Sequence, residues 1–128
     1  SQHLIRETLA MARQADFYMV SFGPCSKDSF IFRRGLVSEA EMNDVIAAGA
    51  IGDMMGKFFD RYGYLVASPI NQRTPGVSIE DMKRHDILLL GAGLEKAEAL
   101  AAVLRSGTVD RLIVDGDLAV ALLDLPPA

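Results

Sequence analysis

The stretch from Ile87 to Leu123 constrains the fold of this chain more than any other. Ile87 to Leu90 is a short unbroken apolar run, the pattern of a strand buried on both faces. Gly91-Ala92-Gly93 supplies a tight turn. Leu94 to Arg105 then sets Leu94, Ala97, Leu100, Val103 and Leu104 on one face at helical spacing and ends near Gly107. Leu112 to Val114 repeats the buried-strand pattern, and Leu118 to Leu123 forms a closing helix. Strands separated by helices in this rhythm are joined by right-handed crossovers, which give a largely parallel sheet covered on both faces. The predicted class is α/β, three layers around a mostly parallel sheet. Segments 17–22, 87–91 and 111–115 are its neighbouring strands. Ligands of such sheets bind outside the carboxyl ends of the strands.

The preceding residues fill in the other elements. Leu4 to Ala15 reads as a helix with Ile5, Leu9, Ala12 and Ala15 on one face, and Phe17 to Phe22 as a strand closed by Gly23-Pro24. Residues 25–35 have no clear period and read as a loop with one turn of order. Ser38 and Glu41 have capping-box spacing, Val37 and Met42 sit at the staple positions around it, and Gly49 stops the helix that follows. Residues 52–67 fit either helix or strand; the glycines at 52 and 56 favour two strands, 53–59 and 64–67, around a turn at Asp60-Arg61-Tyr62-Gly63. Ser78 and Asp81 cap a short helix over 79–84. The chain opens on Ser1 with a helical pattern already under way, so it is expected to be a segment of something longer.

Composition narrows the function. The 128 residues suit one domain; half are apolar, enough for a core. Thirteen Lys and Arg against 17 Asp and Glu leave a net charge of −4, the opposite of a nucleic-acid footprint. No window is long and apolar enough to cross a bilayer, and no leader pattern opens the chain. Cys25 is the only cysteine, which rules out an intrachain disulfide and suits a reducing cytoplasm.

Two places could carry chemistry. Gly91 and Gly93 let a ligand approach the backbone, and the helix start beyond them, with Lys96 in its first turn, favours an anion. Set against this, a strand-to-helix turn needs glycine for geometry alone, and Lys96 at the third-glycine position excludes a dinucleotide fingerprint. Asp53 after Gly52 could accept hydrogen bonds from vicinal hydroxyls, with Met55 on the same strand face by alternation; a turn aspartate or N-cap is the competing reading. Arg33, Arg34 and Arg73 could each fork a phosphate but read more simply as surface charge. Cys25 reads as a packing residue. His3 and His85 have no metal-ligand or nucleophile spacing, so neither a metal nor a cofactor is expected.

Taken together, Arg33-Arg34-Gly35-Leu36-Val37-Ser38-Glu39, Gly49-Ala50-Ile51-Gly52-Asp53-Met54-Met55-Gly56-Lys57-Phe58-Phe59-Asp60 and Gly91-Ala92-Gly93-Leu94-Glu95-Lys96-Ala97-Glu98-Ala99 resemble the sugar-binding domain of the SorC family of bacterial regulators, from about residue 17 onward. The resemblance implies a fold similar to sugar-phosphate isomerases and CoA transferases, and a phosphorylated-sugar effector. It implies a dimeric or tetrameric protein that contacts DNA only through a helix-turn-helix absent from residues 1–128. It makes Asp53 and Lys96 the effector-binding acid and lysine, with Met55 in the same pocket, and makes this chain a partial effector domain lacking its earlier half. Ser21-Phe22-Gly23 and Asp115-Gly116-Asp117 depart from the family's usual Gly-Ile-Gly-like and Thr-Asp patterns. Two other readings stand beside this one: an isomerase-like enzyme with Asp53 as base and Lys96 as clamp, and an oligomerisation module with a decayed pocket.

Overall fold

In a computed structural model the described residues are 2–14, 17–26, 30–35, 37–73 and 78–128. They run α1 (Gln2–Arg13), β1 (Phe17–Pro24), α2 (Phe30–Arg33), α3 (Glu39–Ala47), β2 (Ala50–Met54), β3 (Lys57–Asp60), α4 (Pro69–Arg73), α5 (Ile79–Lys83), β4 (Asp86–Gly91), α6 (Ala97–Arg105), β5 (Arg111–Val114) and α7 (Gly116–Leu123), with a 3-10 turn, Leu94–Lys96, leading into α6. The five strands form one sheet in the order β3-β2-β1-β4-β5. β1, β4 and β5 are parallel neighbours, as the apolar runs predict; β2 and β3 add an antiparallel hairpin to the β1 edge.

Two cores lie against this sheet. The larger gathers Tyr18, Val20, Phe22, Met54, Ile87 and Leu89 from the strands against Met82 of α5, Leu100 and Val103 of α6 and Leu118 of α7. The smaller lies over the hairpin and packs Phe58 against Val37, Met42, Val45, Val66 and Ile70. On the parallel strands, the face opposite α6 is uncovered among the described residues, and β1 alternates exposed and buried along Phe17 to Phe22.

The capping box of α3 forms in full: Glu41 N–H donates to Ser38 Oγ and Ser38 N–H to Glu41 Oε1, both at 3.1 Å. Val37 and Met42 are buried beneath it. Ser78 caps α5 by accepting from Asp81 N–H at 3.1 Å. The expected turn of order in the loop is α2. Ala15, assigned to the first helix by pattern, lies outside the described residues.

The region 52–67 differs from the expected two strands 53–59 and 64–67. The first is broken at Met55 (φ 54°) and Gly56 (φ 77°), whose left-handed backbones make a two-residue hairpin turn. The second is reduced to a single bridge between Leu65 and Phe59. The reason is Asn71, on the unforeseen helix α4. Its amide accepts from Phe58 N–H at 2.8 Å and donates to the carbonyls of Phe58 (3.1 Å) and Val66 (2.7 Å), so a side chain takes positions a continued strand would use. Residues 60–63 do form a turn, in which Asp60 Oδ1 accepts from the amides of Tyr62 and Tyr64.

Candidate effector site

The carboxyl ends of β1, β4 and β5 lie together because the three strands are parallel. At the end of β1, Phe22 pairs with Met54 and Gly23 with Asp53. Asp53 therefore does not open a strand, as the preceding glycine suggested. It is the fourth of the five residues of β2, held between Gly23 on one side and Phe58 on the other. Gly52 serves α6 rather than a ligand: a Cβ there would lie 2.9 Å from Ala99 Cβ and 3.1 Å from its Cα, so helix and strand meet backbone to backbone.

A Cβ on Gly23 would sit 3.5 Å from Asp53 Oδ1, which places the carboxyl alongside the β1 backbone. Burial pushes the Asp53 carboxyl up to about 7. Desolvation disfavours the anion, and Asp53 is poised to switch between donor-acceptor and acceptor-only forms near neutral pH. Cys25, just past the end of β1, is pushed up to about 12, first by burial and then by the Asp53 charge. Its thiol is inert at neutral pH, which agrees with a packing residue. Sequence separation hid this neighbourhood; only the β1–β2 pairing brings residues 25 and 53 together.

The alternation that placed Met55 on the face of Asp53 does not apply, since β2 ends at Met54 and Met55 is a turn residue. Met55 is half-buried and packs on the larger core. Gly91 and Gly93 both have geometric reasons. A Cβ on Gly91 would strike the ring of Phe22, and Gly93 takes φ 103° with the Glu95 carboxylate folded against it. Gly93 N–H points to Asp115 Oδ1 at 3.4 Å, while the same oxygen caps α7 by accepting from Leu118 N–H at 3.1 Å. Asp115 was legible as an N-cap before an apolar helix, but not as a tie to the glycine turn.

Lys96 ends the 3-10 turn at the threshold of α6, and its Nζ lies 5.8 Å from the centre of the Phe22 ring. No described carboxylate pairs with it. Asp53 and Lys96 thus stand beside consecutive residues, Gly23 and Phe22, at the end of β1. Arg33 and Arg34 are exposed at and just beyond the end of α2; the side chain of Arg73 lies outside those described. Among the described residues no cluster of His, Cys, Asp and Glu could hold a metal. No helix among them is long and apolar enough to cross a membrane.

Residues 1–124 match the family model described as "Putative sugar-binding domain". The chain is 29% identical over 126 residues to the erythritol catabolism regulatory protein EryD of Brucella abortus (strain 2308), covering 98% of this chain and 40% of that protein. It is 33% identical over 127 residues to the transcriptional regulator LsrR of Escherichia coli (strain K12), covering 96% and 40%. The sugar-binding domain of a transcriptional repressor from Vibrio fischeri superposes with a TM-score of 0.81 at 27% identity, over 93% of this chain and 48% of that one. A DeoR family transcriptional regulator from Listeria monocytogenes gives 0.85 at 25% identity, over 94% and 49%. The chain spans about two-fifths of the curated relatives it matches.

Proposed function

The chain belongs to the sugar-binding domain family, and from that premise we propose that it is the effector-sensing segment of a bacterial transcription regulator, with a phosphorylated sugar as effector. The observation that carries this reading is that Asp53 and Lys96 both lie at the carboxyl end of β1, Asp53 on the sheet face of Gly23 and Lys96 beside the ring of Phe22 on the other, so that a ligand touching both would reach over the strand end. A polyol offers hydroxyls that both donate and accept. A carboxyl titrating near 7 can meet either need. A phosphate needs positive charge, and Lys96, with no described ion-pair partner, can supply it together with the partial charge at the start of its helix. The Gly93 amide is already directed at Asp115, so Lys96 is the stronger claimant on the anion. Met55, Gly91 and Gly93 shape the surroundings.

The relatives support sensing over catalysis: they carry the names of regulators, and two are named for erythritol catabolism and for deoxyribonucleosides. In the intact regulator a helix-turn-helix outside residues 1–128 contacts DNA, and the protein acts in the cytoplasm as a dimer or tetramer. A thermal-shift screen of sugar phosphates on the full-length protein identifies a ligand by the rise in apparent stability. Calorimetry with that ligand then compares Asp53→Ala and Lys96→Ala. Each variant is expected to bind at least about tenfold more weakly while keeping its fold. Unchanged affinity in both overturns the site. Turnover of the ligand during the titration would favour the isomerase reading instead.

A further inference from the structure

The glycine turn after β4 is faced from two directions by the chain's own carboxylates. β4 and β5 pair in parallel as far as Gly91 and Val114, so Asp115, the residue after β5, stands level with the turn. Gly93 N–H points to its Oδ1 at 3.4 Å. The Glu95 carboxylate fills the space where a Cβ on Gly93 would lie. Gly93, Glu95 and Asp115 are all exposed, and no described cation pairs with either acid. Capping explains an oxygen at position 115, since it accepts from Leu118 N–H at 3.1 Å, but Ser or Asn would cap α7 as well. The charge adds only a small gain at the helix start, and it leaves the turn with a resident anion.

We propose that Asp115 sets which anions the effector site accepts, a role that rests on the effector reading of Lys96: its carboxylate stands at the Gly93 amide, where a ligand's phosphate would otherwise settle, and restricts the site to effectors carrying one anionic group, held by Lys96. Lys96 N–H donates to the Gly93 carbonyl at 3.1 Å, so the cation and the resident carboxylate border the same turn. A single phosphate at Lys96 stays within the field of Asp115 and is weakened by it. A second anionic group on the ligand meets that carboxylate at closer range, and the repulsion grows with the ligand's charge. Hydroxyls meet no such penalty, because a carboxylate accepts hydrogen bonds from them. Asp115 therefore separates a polyol with one phosphate from a polyol with two.

Thermal shift of the full-length protein with inorganic phosphate and with pyrophosphate, at constant ionic strength, tests this role. Asp115→Ser and Asp115→Asn each exchange one N-cap for another, so the melting temperature without ligand is expected to move little. The phosphate concentration giving half-maximal stabilisation is expected to fall about fivefold in both variants, and that of pyrophosphate about twentyfold, the scale of one exposed charge acting on one and on two phosphate groups. Both gains should shrink severalfold in about 0.5 M sodium chloride, which a purely structural role would not produce. Lys96→Ala alone is expected to weaken the response to phosphate and, combined with Asp115→Ser, to abolish the gain. If Lys96→Ala weakens binding while both Asp115 variants bind no better than the wild type, the role of Asp115 alone is overturned. Equal gains for the two probes overturn the restriction to one anionic group. An undiminished response in Lys96→Ala overturns both this role and the placing of the effector's anion.

Discussion

The unit from Asp86 to Leu123 and the hairpin region from Ala50 to Arg73 flank the same candidate site but are held together by different means. In the first, strand follows helix follows strand, and apolar side chains from consecutive elements meet in one core. Its polar fastenings are short-range caps, or single ties such as Asp110 Oδ2 accepting from Ile87 N–H at 2.8 Å. In the second, buried polar groups hold the chain. Asn71 bonds to both backbone groups of Phe58, and Lys57 Nζ, itself buried, donates to the Asn71 carbonyl at 2.8 Å. Apolar packing tolerates small adjustments, whereas a buried hydrogen-bond network fails when one partner is removed.

The largest effect expected from this contrast comes from Asn71→Ala. It orphans the Phe58 amide and the Val66 carbonyl, while the Phe58 carbonyl keeps only Val66 N–H, so the loss should be about 4 kcal/mol, read as a lower urea midpoint. A loss no greater than that of Leu100→Val in the helical unit would erase the distinction between the regions.

Asp53→Asn gives a smaller effect and acts through pH. Burial raises the folded carboxyl to about 7, well above its ordinary value. Below about pH 4 both states are protonated and the wild type carries no penalty. Between about pH 4 and 7 the folded state holds a proton that the unfolded state has released, so wild-type stability falls as pH rises through this window and levels above it. The Asn variant should lack this slope and exceed the wild type by about 2 kcal/mol at pH 8, measured by denaturation across the range. Parallel pH profiles would show that Asp53 ionises freely.

Gly56→Ala should have the smallest effect, about 1 kcal/mol, because its φ of 77° is left-handed and a Cβ is strained there. If the variant shifts the hairpin register as well, seen as new amide exchange protection at 64–67, then the turn rather than Asn71 limits β3.

The same contrast separates what could be read from residues alone. Ile87 to Leu90 and Leu112 to Val114 announce their strands by unbroken apolar runs, although among the described residues only the face toward α6 is packed into the core, with Leu88 and Leu90 half-buried and Ile113 exposed. Ser38 with Glu41, and Ser78 with Asp81, announce helix starts because the donors they satisfy lie three residues away. The hairpin carries no such local signal. Its turn is Met55-Gly56, not the usual Asn-Gly or Asp-Gly, and its far edge is set by a side chain thirteen residues beyond Phe58. Asp53 reads from the sequence as opening a strand but lies near the end of one, and its neighbours Gly23 and Cys25 come from an antiparallel pairing that no periodicity encodes. Lys96 was easier to place, since the glycine turn and the helix locate it within one element.

The contact of Gly52 with Ala99 has a mechanical consequence for anything held between Asp53 and Lys96. Gly52 is the residue before Asp53, and Ala99 lies three residues after Lys96, less than one helical turn along. With backbone against backbone, no intervening side chain can change rotamer to widen or narrow the span. The backbones that carry the two groups are held at a set separation, and only the Asp53 and Lys96 side chains themselves can adjust the gap between the proposed contacts. For the site as proposed, repacking between strand and helix contributes nothing to tolerance for a longer or shorter ligand, which then falls to the reach of the Lys96 side chain.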